Sequence, residues 1–174
     1  MTVTDPFRTS RTGDALWEVL AGGDKTGGAV TFGDARLPGR TSGPALHVHS
    51  REDEAAYVIE GVMTFRVGDE TFEAGAGTLV WLPRGVPHTF ANLSDQPARA
   101  FGTITPAGLE GMFAEQAAYF ATLTGPPDPA RLDQIGARWG VTRLGPPLRV
   151  TSRAEEDRVE GCRECVTAPR PSGR

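Results

Sequence analysis

The sequence predicts an all-β domain, a small antiparallel β-barrel followed by two C-terminal helices, and three observations predict it. The 22 glycines and 14 prolines make about a fifth of the chain against roughly 12% on average, and they are spread along it as punctuation. Between them, short runs rich in β-branched and aromatic residues recur about every ten residues, the spacing of strands in a sandwich or barrel. From Leu109 onward the apolar period lengthens to that of a helix. With 174 residues the chain suits one domain with a single core, so one site is expected.

Residues 1–14 are polar and aperiodic and read as a flexible N-terminal arm. The barrel is expected over 15–106, with strands in "ALWEVLAG", "GAVTFGDARLPG", "PALHVHS", "EAAYVIEG", "VMTFRVGDETFEAG", "GTLVWLP", "HTFANLS" and "ARAFGTITP". One hairpin is legible in detail. Met63, Phe65 and Val67 alternate with Thr64 and Arg66, and Gly68-Asp69 supplies a tight turn that wants glycine first.

Residues 107–148 are expected to form a helical extension. Leu109, Met112, Phe113, Ala117 and Phe120 fall on one helical stripe, which either covers its own barrel or packs on a partner. A second helix starts at Asp128, an N-cap, with Pro129 at the first helical position, Leu132, Ile135 and Trp139 on one face, and Gly140 as a stop. Residues 149–174 are charged and nearly free of large apolar side chains, and read as a flexible tail.

Charge and composition narrow the function. A net charge of -4 gives no basic footprint, so no nucleic-acid partner is expected. Lys25 is the sole lysine and sits in a Gly-rich turn, which leaves Schiff-base chemistry almost no candidate. No apolar run suits a secretory signal or a membrane span, so a cytoplasmic location without membrane contact is expected. Cys162 and Cys165 lie close together in the tail; a zinc ribbon would need a second pair and a redox site a βαβ context, and neither is present.

The chemistry-bearing residues concentrate in one window. His47 and His49 alternate on a strand and so share a face, while Val48 points away. Such a pair serves as cis metal ligands, as polar side chains facing solvent, or as a satisfied pair in the core. Glu54 opens the next extended segment, and pairing of the two strands is expected to return its carboxylate beside the histidines. His88, the third and last histidine, follows the turn-forming "LPRGVPH" and is expected from the far side of the barrel.

Here the chain resembles the cupin family, which is defined by two short motifs on a small β-barrel of jelly-roll type. Gly43, His47, His49, Glu54 and Gly61 follow the first motif, with a shortened opening gap. Gly77, Pro83, Gly85, His88 and Asn92 follow the second at every spacing. Thr78 departs from the aspartate that many members carry after the motif glycine, at a turn position away from the metal. By this resemblance His47, His49, Glu54 and His88 are the ligands of one divalent transition metal per chain, with Fe, Ni, Mn, Co and Zn all compatible. Gly61, Gly77 and Gly85 read as turn formers, and Asn92 as a strand-end cap.

Three neutral imidazoles and a carboxylate leave a divalent ion a net charge near +1 and, in an octahedral shell, two adjacent open positions. Alternation from the ligands predicts a pocket lined by Ala56, Val58, Met63, Phe65, Val67 and Phe90, each of which reads equally as plain core. Tyr57 has the wrong parity to reach the metal unless a bulge reverses it. With every histidine committed, proton transfer falls to Glu54, the candidate catalytic residue, to a metal-bound water, or to Glu60 if the barrel admits it.

The single-domain layout is similar to the monocupin quercetin dioxygenases, which implies a dioxygenase acting on a flavonol or related enol, with dioxygen as co-substrate. The alternatives are a non-oxidative metal cupin (isomerase, polyketide cyclase or decarboxylase) and a non-enzymatic cupin that binds a small molecule. Cupins commonly dimerise through outer strands and terminal segments, so a homodimer is an open option.

Overall fold

In the computed structural model residues 16–149 are described; the expected arm at 1–14, the tail beyond 149, and Cys162 and Cys165 with it, lie outside them. The first half of the chain gives β1 (Trp17–Ala21), a single helical turn α1 (Gly23–Thr26), β2 (Thr31–Leu37), β3 (Thr41–Ser42), β4 (Leu46–His49) and β5 (Asp53–Glu60). Then come β6 (Val62–Val67), β7 (Glu70–Gly75), β8 (Leu79–Leu82), β9 (His88–Asn92) and β10 (Ala98–Thr105). The helices α2 (Glu110–Phe120) and α3 (Pro129–Arg138) follow, and β11 (Val141–Gly145) ends the described chain.

All strand pairings are antiparallel and form two sheets. One runs β1-β2-β10-β5-β8, the other β11-β4-β9-β6-β7 with β3 also on β9. They do not close into a continuous barrel. Instead they face each other across a core to which Val58, Leu82 and Ala100 contribute from the first sheet and Met63, Phe65 and Ala74 from the second. Alternation produces this core: in β10, Ala98, Ala100, Gly102 and Ile104 are buried while the residues between them are partly exposed.

The hairpin of β6 and β7 turns at Gly68-Asp69, with Gly68 at φ 60°, a conformation open to glycine without a Cβ clash. Asp128 caps α3 by accepting a hydrogen bond from the Ala130 N–H at 2.9 Å, and Pro129 occupies the first helical position. The first part of the stripe faces its own barrel, where Leu109 and Met112 join Ile104, Ile135 and Val141 in a second apolar cluster, while Ala117 and Phe120 are exposed. Trp17 and Phe113 pack against it.

Two expectations are corrected. Residues 107–148 are not purely helical, because β11 returns to pair with β4, Val141 opposite His49 and Arg143 opposite His47. Glu60 is exposed and outside the interior. The register slips between Arg99, which faces Glu60, and Ala100, which faces Val58, so a bulge at Ile59 reverses the parity beyond it.

Candidate metal centre

His47 and His49 emerge from the same face of β4, and β9 lays His88 directly opposite His47. The third imidazole therefore comes from the neighbouring strand, not from the far side. Glu54 makes the crossing. Its strand β5 belongs to the other sheet, paired with β8 and β10, and never pairs with β4. The expected return of Glu54 along a paired strand is replaced by its projection across the gap between the sheets. The ligand atoms of the four residues all lie within 4.8 Å of one another.

Each imidazole is oriented through its Nδ1. His47 Nδ1 lies 2.7 Å from the Ala45 carbonyl oxygen, His88 Nδ1 3.0 Å from that of Val86, and His49 Nδ1 3.4 Å from Glu52 Oε2. A proton on Nδ1 donates to these oxygens and leaves an Nε2 lone pair. The Nε2 atoms of His49 and His88 are buried without a hydrogen bond, although Glu54 oxygens stand 3.3 Å and 3.9 Å from them.

Buried polar atoms left without partners are costly, and two of them aimed beside a carboxylate fit a cation. With metal–ligand bonds of about 2.1 Å, cis donors stand about 3 Å apart and trans donors about 4.2 Å, compatible with this cluster. The donor set fits a divalent transition ion.

The electrostatics agree. Burial lowers the proton affinity of His47, the Ala45 carbonyl partly opposing it. Burial, then the neighbouring His47 and His88, lowers His49 to about 3. His88 falls to about 4 through burial and then His47. All three are neutral at pH 7, the state a ligand needs. Burial, and then the charge of Glu52, raises Glu54 to about 7.

Glu52 has no counterpart in the sequence reading. It is buried, 6% exposed, and burial raises its proton affinity against the pull of Arg51 and Arg84. In sequence it is one charge in "SREDE", which looks like a solvated turn; only the fold turns it toward His49.

A cavity of about 480 Å³ opens on this cluster. His47, His49 and Glu54 bound it on one side; Trp17, Phe90 and Ile104 line it from the strands, and Met112, Phe113, Gln116, Ala117, Phe120 and Leu132 from the helices. Of the six side chains expected in the pocket, Phe90 is there. Ala56 and Met63 line a separate recess of about 30 Å³ behind Glu54, too small for a substrate. Val58 and Phe65 are fully buried in the core between the sheets, and Val67 packs against it. The β6 face, read as pocket lining or equally as plain core, meets the other sheet further in, and the helices supply the wall instead. Tyr57 points outward and is 44% exposed.

The motif positions outside the ligand set are structural. Asn92 Nδ2 donates to the carbonyls of Leu37, Pro38 and Gln96, and its Oδ1 accepts from the Ser94 N–H. Gly61 takes φ 74°, and a Cβ there would meet the Pro97 carbonyl oxygen at 2.4 Å.

Residues 34–104 match the family model of the cupin domain. Over that stretch the chain is similar to the cupin domain. The match runs from within β2 to Ile104 within β10, so Trp17, both long helices and β11 lie outside it. No curated protein matches the chain in sequence.

Among solved structures, a sugar phosphate isomerase from a cupin superfamily of Silicibacter pomeroyi is similar at 25% identity and a TM-score of 0.45, over 52% of this chain and 59% of that one. A predicted oxalate decarboxylase of Thermotoga maritima is similar at 21% identity and a TM-score of 0.49, over 52% of this chain and 78% of that one. KdgF from a Halomonas species is similar at 15% identity and a TM-score of 0.48, over 55% and 81%. The chain thus spans less than two thirds of the isomerase. Among the described residues no helix is long and apolar enough to cross a membrane.

Proposed function

We propose that this protein is a metal-dependent cupin enzyme acting on a small enolic or aromatic metabolite, with a quercetinase-like dioxygenase as the first assignment. The observation that carries the reading is the predominantly apolar cavity of about 480 Å³ bounded by His47, His49 and Glu54. Its volume falls in the range of small-molecule sites.

A divalent ion on this donor set would supply Lewis acidity for a chelating oxygen pair and, if redox-active, an electron partner for dioxygen. The chain's own residues do the rest. The Nδ1 contacts of the histidines hold the donors in place, and the apolar wall excludes water. Glu54 is the group that can accept the enol proton, because its carboxylate stands among the donors that would hold the ion and borders the cavity. The same proton-carrying carboxylate suits the non-oxidative isomerase, cyclase or decarboxylase, so dioxygen is the variable that divides the readings.

The test is metal analysis of untagged protein, followed by oxygen uptake with flavonols for the Fe, Ni and Mn forms. About one ion per chain and oxygen consumed in step with the flavonol is the expected result. Conversion of an enol without oxygen uptake would move the assignment to the non-oxidative class. No metal above background would overturn the site and leave a binding protein.

A further inference from the structure

Helix α2 carries Leu109, Met112, Phe113, Ala117 and Phe120 into the cavity, and one polar side chain stands among them, Gln116. Its spacing from Met112 and Phe113 puts it on the same face. Among the described residues its amide has no hydrogen-bond partner. Outside the metal cluster the lining also holds the Trp17 indole N–H, buried without a partner beside the strands, and the side chains of Asp133 and Arg143, which satisfy each other: Arg143 Nε and Nη2 donate to Asp133 Oδ1 and Oδ2, each at 2.6 Å.

Arg143 is the one cation of the lining, and this bidentate pairing cancels it. A phosphate or dicarboxylate entering the cavity would find no uncommitted cation apart from the ion, and burying a second negative charge without a partner is expensive. A monoanionic chelating enolate, by contrast, balances the net charge near +1 of an ion held by three imidazoles and one carboxylate.

Resting on the metal-enzyme reading above, we infer that Gln116 determines specificity: the cavity takes an elongated, largely apolar aromatic chelator, uncharged away from its enolate, whose distal oxygen hydrogen-bonds the Gln116 amide. Length supports this. The Leu109 end of α2 packs on Ile104, which pairs with Glu54, and Gln116 lies about 10 Å further along the helix axis. Such a span suits two or three linked rings, with the chelating pair at one end and a hydroxyl or carbonyl at the other.

The experiment compares the zinc-loaded full chain with its Gln116→Leu variant, zinc being chosen so that binding is read without oxidation. The probes are 3-hydroxyflavone, which has the chelating pair and no distal oxygen substituent, and quercetin, which has both; titration calorimetry gives the affinities. Gln116→Leu is expected to weaken quercetin about threefold to tenfold, the value of one hydrogen bond, and to leave 3-hydroxyflavone unchanged or tighter. The latter also reports that the variant is folded.

Equal effects on both probes, or none on quercetin, would overturn the role of Gln116 while sparing the metal-enzyme reading. Binding of neither probe to a chain that retains its zinc would overturn both. Glucose 6-phosphate and oxalate are expected to bind more weakly than either flavonol, and tighter saturable binding of either anion would overturn the substrate class.

Discussion

His47 of β4 stands directly opposite His88 of β9 in the antiparallel ladder, their rings 4.6 Å apart and edge-on. Two of the imidazoles are thus set beside each other by backbone register. His88→Ala should therefore remove a donor without freeing a neighbour to replace it. Metal content is expected to fall from about one ion per chain to background while the far-UV spectrum is retained. A variant that keeps a stoichiometric ion would show that the ion sits elsewhere.

The pH dependence of metal binding follows from Glu54. In the metal-free site its carboxylate is raised to about 7, whereas His49 and His88 are lowered to about 3 and about 4. Below about 7 an incoming ion must displace the Glu54 proton; His49 and His88 have none to lose until far lower pH. Affinity should climb about tenfold per pH unit up to about 7 and then level off. Competition titrations with a chelating dye check this, and a slope of two or more protons per ion near pH 6 would contradict neutral histidines.

Glu52 connects these effects. Its Oε2 faces His49 Nδ1 at 3.4 Å, and its charge helps to hold the Glu54 proton. Glu52→Gln should weaken metal binding about 10- to 100-fold, as loss of an orienting carboxylate does elsewhere. It should also move the levelling point of the affinity curve below that of the parent, because one source of the raised Glu54 value is gone. A simple packing defect would weaken binding without moving that point.

What the sequence disclosed was whatever depends on parity and local punctuation. His47 and His49 share a face because a strand alternates, the hairpin turns at Gly68 because of its φ, and α3 begins at Asp128-Pro129 because capping is local. What it hid depends on which strands become neighbours. Glu54 reaches the histidines from the opposite sheet, and no pattern within "HVHSREDE" says so. The short run Val141–Gly145 becomes a strand only because β4 offers it an edge, and Gln116 looks like the solvated side of a helix until the cavity is seen.

A second carboxylate ties the helices to the strands. Glu110 at the start of α2 accepts hydrogen bonds from the Gly23 N–H at 2.7 Å, the Thr31 hydroxyl at 2.6 Å and the Gly108 N–H at 2.8 Å. Burial pushes its proton affinity up, but these bonds outweigh it and hold the carboxyl at about 2, below its usual 4.5. A depressed value means a contribution to stability that is present above about 4.5 and lost as pH falls toward about 2. Glu110→Gln should cost about 1–2 kcal/mol at pH 7 and flatten the acid limb of the stability curve. Urea midpoints at several pH values check both, and an unchanged acid limb would assign that limb to other groups.

The floor of the cavity rests on two glycines. Gly33 of β2 and Gly102 of β10 are paired across the ladder, and the Trp17 indole lies over both. A Cβ at Gly33 would meet Trp17 Cζ2 at 2.1 Å, and one at Gly102 would meet Trp17 Cη2 at 2.6 Å. Here glycine is required for the space it leaves, not for its backbone, since neither residue has a positive φ. Gly33→Ala must displace an indole that lines the cavity and packs on Phe113, so about 1–3 kcal/mol should be lost to overpacking, together with a change in tryptophan fluorescence. Gly75→Ala supplies the contrast: nothing stands within 4 Å of its Cβ position, and stability should hold or rise by a few tenths of a kcal/mol. Equal urea midpoints for the two variants would mean that the indole has room to move, and that the cavity floor is softer than the close glycine contacts imply.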